Sequence, residues 1–409
     1  MKVSVALTSA LVAGLTLLAV TPTFAAGKNT NSEKVAKLLA PAQEMLKAKN
    51  YSGALGLIKQ AEGVSDKNPF DVYTIAEFAC QANIGAQNFA EAAKTCEEQL
   101  NNSFMTEANV PRLVHILQAL NYQIKNYDKA IEFGNRALKA GTASEEDKTI
   151  LGQSYYLKGD WKGTLTTENA LVDQEIKAGQ IPKDQQLGLI LNSCIKLDDA
   201  TCQQHALERL VTYYPKPDYW LFLLQRVQSS SSSGNDTNTL QLYRLMLDTD
   251  TLKNPGDFNE AAQLAVDAGS PGEAQKILEK GFAANVFTDQ RIKDRNTRLL
   301  ETVKKTSASD QASLAKAEKD ADAAPTGAKN VALGLAYFGY GQYDKAVEQL
   351  QKGIQKGGLR NDADAHLLLG IALLKAGHKD EAAKSFKEVK GDPVLERLAS
   401  LWVLHAKAA

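Results

Sequence analysis

A turn signature returns along this chain at a near-constant interval, in Asn50-Tyr51-Ser52-Gly53-Ala54, Asn88-Phe89-Ala90-Glu91-Ala92, Asn126-Tyr127-Asp128-Lys129-Ala130, Asp160-Trp161-Lys162-Gly163-Thr164 and Gln342-Tyr343-Asp344-Lys345-Ala346. Each copy joins a helix breaker, Gly or Asn, to an aromatic and, three residues on, to a small residue. A tight turn between antiparallel helices needs this set: the aromatic plugs the turn and the small residue lets the second helix come close. The small positions 54, 92, 130 and 164 stand 38, 38 and 34 residues apart, and 274, 312, 346 and 382 stand 38, 34 and 36 apart. That period belongs to stacked helical hairpins, whose extended surfaces hold partners along a groove.

Residues 1–25 read as a secretory signal peptide. Lys2 is a minimal basic region, Val3 to Val20 is apolar, and Thr23 and Ala25 place small residues where a signal peptidase inspects them, so cleavage is expected after Ala25. An uncleaved anchor is the other reading, but Thr8, Ser9, Gly14 and Thr16 dilute the run and Pro22 stops it. No later run approaches membrane-spanning length. Removing 25 of 409 residues leaves 384, and the formal charge moves from −1 to −2 with the loss of Lys2. A near-neutral chain without a basic cluster argues against nucleic-acid binding.

Four cysteines, Cys80, Cys96, Cys194 and Cys202, allow three pairings. In an array each repeat touches only its neighbours, so the first two cannot reach the last two. Cys80 and Cys96 lie on either side of the turn at Gln87-Asn88, and Cys194 and Cys202 flank Asp198-Asp199. Each pair could clip a hairpin shut in an oxidising compartment; the alternative is that all four are small buried residues.

The strongest single copy runs Leu333-Gly334, Tyr337, Gly341, Tyr343, Ala346 and Leu350, followed by Leu369-Gly370, Leu373, Gly377, Ala382 and Phe386; Leu151-Gly152, Tyr155, Gly159 and Trp161 repeat it. These spacings resemble the tetratricopeptide repeat. The expected fold is an all-α, right-handed α-solenoid of about ten helix-turn-helix hairpins over residues 26–409, with the clearest repeats at 70–164 and 328–390. The middle, 165–270, is irregular, with only Ala206 and Thr239 as landmarks and Ser229 to Asp236 as a polar loop. Pro393 opens a last helix whose apolar residues Val394, Leu395, Leu398, Leu401, Trp402 and Leu404 suit a cap on the final repeat, or a partner-binding helix.

Catalytic and metal signatures are missing from the sequence. There is no Gly-x-Ser-x-Gly elbow, and His115, His205, His366, His378 and His405 are dispersed. Asp248, Asp250, Asn254 and Asp257 form an acidic loop without calcium-loop spacing. Neither a cofactor nor a metal is expected, and the protein is not expected to be an enzyme. An active site assembled across repeats is the competing reading.

The resemblance to tetratricopeptide arrays implies that the first helix of each hairpin lines the concave side. It places Glu77, Gln81, Arg112, His115, Tyr122, Glu146, Thr149, Gln153 and Tyr156 on an N-terminal polar and aromatic groove. Val331, Leu335, Phe338, Leu367, Ile371 and Leu374 fall on an apolar C-terminal one. Arg112, His115, Tyr122, Gln153, Tyr156, Leu335, Phe338, Leu367 and Ile371 are the candidate partner-binding residues. The apolar set either takes an amphipathic helix or extended peptide, or is tucked against neighbouring helices. A narrower stretch, Tyr214-Pro215-Lys216-Pro217-Asp218-Tyr219-Trp220, with Leu242-Tyr243-Arg244 and Ala274 to Gly281, is similar to exported repeat proteins of TonB energy-transduction systems. The resulting expectation is a soluble periplasmic adaptor for other envelope proteins, with no membrane span after cleavage.

Overall fold

The computed structural model describes residues 29–230 and 235–408. The signal-peptide segment lies outside them, as do residues 231–234 of the Ser229 to Asp236 loop. Among the described residues there are twenty α-helices, one short 3-10 turn and no strand. The chain is an all-helical repeat array, and it divides after Ala200 into two compact units.

Unit 1 holds α1 (Glu33–Lys47), α2 (Tyr51–Glu62), α3 (Pro69–Gly85), α4 (Phe89–Leu100), the 3-10 turn Glu107–Asn109, α5 (Val110–Gln123), α6 (Tyr127–Lys139), α7 (Glu145–Lys158), α8 (Trp161–Lys177) and α9 (Asp184–Lys196). The helices pair as α1/α2, α3/α4, α5/α6 and α7/α8, and first helices pack on first helices, α1 on α3, α5 on α7 and α7 on α9. The turns owe their shape to a residue one step earlier than the breaker read from sequence. Lys49, Gln87 and Lys125 take the left-handed conformation (φ 57°, 60° and 61°), a role that Gly159 and Gly341 fill in other repeats. Asn50 and Asp160 then cap the second helix by accepting from the Gly53 and Gly163 backbone N–H groups.

The inner contact of a hairpin falls on two positions sixteen residues apart, and the chain fills them in different ways. Where one side is large the other is small, because the helices meet there near backbone contact and an added Cβ would overlap its neighbour. Gly152 faces Glu168, Gly334 faces Leu350, Gly370 faces Phe386, and in the reverse order Gln118 faces Gly134. In the second hairpin the same two positions are Cys80 and Cys96, joined by a disulfide with a Cα–Cα distance of 4.7 Å. Cys194 and Cys202 are also disulfide-bonded, and no cysteine is free.

Unit 2 holds α10 (Ala200–Tyr213), which begins at the boundary, then α11 (Pro217–Ser230), α12 (Asp236–Asp248), α13 (Pro255–Asp267), α14 (Pro271–Ala283), α15 (Gln290–Asp322), α16 (Ala328–Gly339), α17 (Tyr343–Lys356), α18 (Asp362–Lys375), α19 (Lys379–Lys387) and α20 (Pro393–Ala408). One expected hairpin is absent. Ala312, read as the small residue after a turn, lies exposed within the 33-residue α15. No Gly or Pro interrupts residues 290–322, so nothing breaks the helix. It buries one narrow stripe instead, Asn296, Val303, Ser307, Leu314 and Ala321. The final helix α20 does bury Leu395, Leu398, Leu401 and Trp402, packing on α18 and α19 and also on α12.

Candidate functional site

The candidate site is built on the first helices of unit 1. Most connections there are short, but residues 101–109 run between α4 and α5, and Phe104 packs edge-on to Phe70 of α3 at 5.3 Å. This longer connection borders a cleft of about 60 Å³ between α3 and α5. Its floor is apolar, made by Ile84, Leu113, Ile116, Met105 and the disulfide residue Cys80. Its rim is polar, with Glu77, Gln81, Asn109 and Arg112. Burial pushes the Glu77 carboxyl up, and the Arg112 guanidinium opposes that rise. Arg112 is exposed at the mouth, so the rim presents a guanidinium beside a desolvated carboxyl above an apolar floor. The arrangement suits an apolar side chain carried on a hydrogen-bonding main chain.

Of the other expected groove residues of unit 1, Glu146 is exposed and Thr149 bonds within its own helix, whereas His115, Tyr122, Gln153 and Tyr156 are tied into the repeats. His115 Nδ1 lies 2.5 Å from Asp147 Oδ1, which links α5 to α7. The hydrogen bond to Asp147 raises the His115 pKa. Burial would raise the Asp147 carboxyl, but the bonds from His115 and from the Ser144 backbone and hydroxyl outweigh it and hold it low. Gln153 is fully buried and accepts from the Tyr122 hydroxyl at 2.6 Å. Tyr122 and Tyr156 stand edge-on to the aromatic plugs of their own turns, Tyr127 at 6.1 Å and Trp161 at 5.1 Å. Phe338 does the same with Tyr343 at 5.7 Å. In these three repeats the aromatic five residues before the plug is therefore a second layer of it, a place that Leu46 and Ile84 take before Tyr51 and Phe89.

Sequence reading passed over Glu168, which α8 places at the hairpin's inner contact against Gly152 with 1 % of its surface exposed. Burial, reinforced by the nearby Glu175 carboxylate, pushes its pKa up to about 8. Between the ordinary glutamate value near 4.5 and about 8, the native state therefore holds a proton that the unfolded state has released. Stability falls as pH rises through that window and levels off above it. The wild type is expected to lose about 2–3 kcal/mol between pH 5 and pH 7.5, and Glu168→Gln to lose much less. Urea titrations of both proteins at the two pH values check this; parallel pH profiles would contradict it.

The apolar C-terminal set behaves differently from an open groove. Leu367 and Ile371 are 0 % and 1 % exposed, whereas Leu335 and Phe338 are half-buried. Leu367 and Ile371 are core residues in this structure, and α12 bonds to both ends of the helix that carries them. Gln241 Nε2 of α12 donates to Asp364 Oδ1 of α18 at 2.7 Å, and Lys375 at the other end of α18 pairs with Asp248. Asp364 and Lys375 are eleven residues apart, about three helical turns, so Leu367, Leu368 and Ile371 on the same side of α18 look toward α12 as well. The guanidinium of Arg244 sits 5.5 Å from the Phe338 ring and makes two 2.7 Å bonds to Glu273 of α14. His405 Nε2 of α20 lies 2.7 Å from Asp248 Oδ2.

The acidic loop is likewise engaged within the fold. Asp248 pairs as above, Asp250 pairs with Lys253, and Asn254 caps α13. Among the described residues no cluster of three or more His, Cys, Asp or Glu side chains is placed to hold a metal ion, and no helix is long and apolar enough to cross a membrane.

Known proteins resemble the chain weakly overall. No curated protein matches it. The structure of Naa15/Naa10 bound to HypK-THB is 15% identical, with 90% of this chain and 60% of the other covered, at a TM-score of 0.32. The pentatricopeptide repeat protein PPR10 from maize is 15% identical, with 90% and 52% covered, at 0.29. The TPR domain of P58(IPK) is 13% identical, with 90% and 96% covered, at 0.22. The chain thus spans 60% and 52% of the first two. At the level of sequence family, residues 331–394, from within α16 to the start of α20, match the tetratricopeptide repeat.

Proposed function

We propose that the chain is an exported, non-catalytic adaptor of the cell envelope that holds other proteins, and that it grips them along the first-helix face of unit 1. The cleft between α3 and α5 carries this reading. It combines an apolar floor with an exposed Arg112 and a desolvated Glu77. The tetratricopeptide match at 331–394 supports a protein-binding scaffold. The leader-like segment at Met1–Ala25 and the oxidised state of all four cysteines support the periplasm. The stretch Tyr214 to Trp220 supports a partner in a TonB-type uptake apparatus.

The test starts with crosslinking in cells, identification of the captured protein and its purification. Arg112→Glu is expected to weaken binding of that purified partner at least tenfold, with Lys94→Glu, an exposed change on second helix α4, leaving it unaltered. Equal binding by both variants would remove the cleft from the account.

A further inference from the structure

The helix α12 meets the C-terminal repeats through one stripe, Asn238, Gln241, Arg244, Leu245 and Asp248, at successive steps of three or four residues except for the adjacent pair. Four of the five are polar, and their partners are spread over α14, α18, α20 and the turn before α20. Asn238 donates to Asp392 at 3.1 Å, Gln241 to Asp364, Arg244 to Glu273, and Asp248 accepts from Lys375 and lies against His405. Leu245, fully buried, is the single apolar residue in the stripe. The remaining faces hold Leu240, Leu242, Tyr243 and Met246, all buried, and Tyr243 donates to Glu260 of α13 at 2.8 Å. One helix thus bonds through its polar side to Glu273, 29 residues away on α14, and to residues 123 to 157 away in sequence, while its other faces bury apolar side chains.

That polar contact is the weaker of the two. The amide oxygens of Asn238 and Gln241 are buried without a hydrogen-bond partner. Their amide nitrogens are committed to Asp392 and Asp364, so turning the amides over would set oxygen against carboxylate. A buried carbonyl left unmet favours any state in which water reaches it, and paired polar groups recover much of their bonding in water when separated. Apolar surface recovers nothing. If the array yields anywhere in unit 2, the physical expectation is separation along this stripe, which uncovers Leu367, Leu368 and Ile371 together with Phe338.

We propose that α12 is a built-in occupant of a second protein-binding groove, and that separation of its polar stripe opens this groove to a partner helix that repeats α12's pattern, a central leucine flanked by an amide, an arginine and a carboxylate. The inference is independent of the cleft in unit 1. The groove is specific because Asp364, Glu273 and Lys375 each demand a defined group at a defined turn of the incoming helix. It stays closed at rest because its own occupant is tethered at high effective concentration.

The probe is a labelled synthetic peptide spanning Asn235 to Thr249 of this chain, added to the full-length protein. The variant Gln241→Ala/Asp248→Ala, which loosens the stripe and keeps Leu245 and the Arg244–Glu273 pair, is expected to bind it at least tenfold more tightly than the wild type. A peptide carrying Leu245→Asp is expected not to bind either protein. A folded variant that ignores the peptide overturns the proposal. Native-state hydrogen exchange on the wild type decides the matter even if the variant fails to fold. The α12 and α18 amides are expected to open together at lower denaturant than those of α13 and α16, and release of α12 only with global unfolding overturns the proposal.

Discussion

Ile371→Glu is expected to unfold the C-terminal repeats of unit 2 and not merely to change a binding surface. The side chain is 1 % exposed on the side of α18 that α12 bonds along, and the cation one turn away, Lys375, is already paired with Asp248. Burial of a charge without a partner costs several kcal/mol, so a destabilisation of about 4 kcal/mol or more is expected, with loss of helix in a thermal melt. Ala332→Glu, on the exposed side of the neighbouring α16, is the control and is expected to stay within about 0.5 kcal/mol of the wild type. Circular dichroism melts read both. An Ile371→Glu protein as stable as the control would mean that this face is open to water and that α12 does not cover it.

The second large effect is expected at Arg244. Its guanidinium and the Glu273 carboxylate are 6% and 9% exposed and make a two-pronged pair between α12 and α14. Arg244→Ala leaves Glu273 buried and unmatched and is expected to cost about 3–5 kcal/mol. Removing both charges together, as Arg244→Leu/Glu273→Leu, is expected to recover most of that loss, since two apolar side chains of similar bulk need no desolvation of ions. Urea unfolding of the single and double variants measures the difference. A double variant as unstable as the single one would show that packing against the Phe338 ring, and not the unmatched charge, sets the cost.

Repeat architecture was legible in the sequence because a hairpin's requirements are local. The plug aromatics Tyr127, Trp161 and Tyr343, the close residues Ala130, Thr164 and Ala346, and the glycines opposite Glu168, Leu350 and Phe386 all act within about sixteen residues of one another. The Cys80–Cys96 bridge was readable for the same reason, as the two cysteines stand on the two positions where a hairpin's helices meet. Ala312 misled because its spacing from Ala274 suits the repeat period while its surroundings lack any breaker, and a helix without a breaker continues.

The candidate site was harder to read, since repeat register says which side of a helix a residue is on but not what lies across from it. His115 and Gln153 occupy the expected face, yet their partners Asp147 and Tyr122 come from the adjacent repeat's own first helix. The C-terminal apolar face was placed on the inner side by register, but register does not show that α12, more than a hundred residues earlier, bonds along the same side of α18. The polar stripe of α12 carried a signal, amide, amide, arginine and aspartate at helical spacing, which reads in isolation as a solvated face. Only the fold reveals that each of its four polar residues has a partner elsewhere in unit 2.

The account rests on a contrast: an open cleft on unit 1 and a filled groove on unit 2. Photo-crosslinking amino acids placed one at a time at Gln81, on the rim of the cleft, and at Leu335, on the half-buried inner side of α16, test it in cells under native conditions. The expected result is one partner protein captured from position 81, with only internal or no products from position 335. Capture of that same partner from 335 and not from 81 would contradict the account, because the groove taken to be filled by α12 would then be the surface in use.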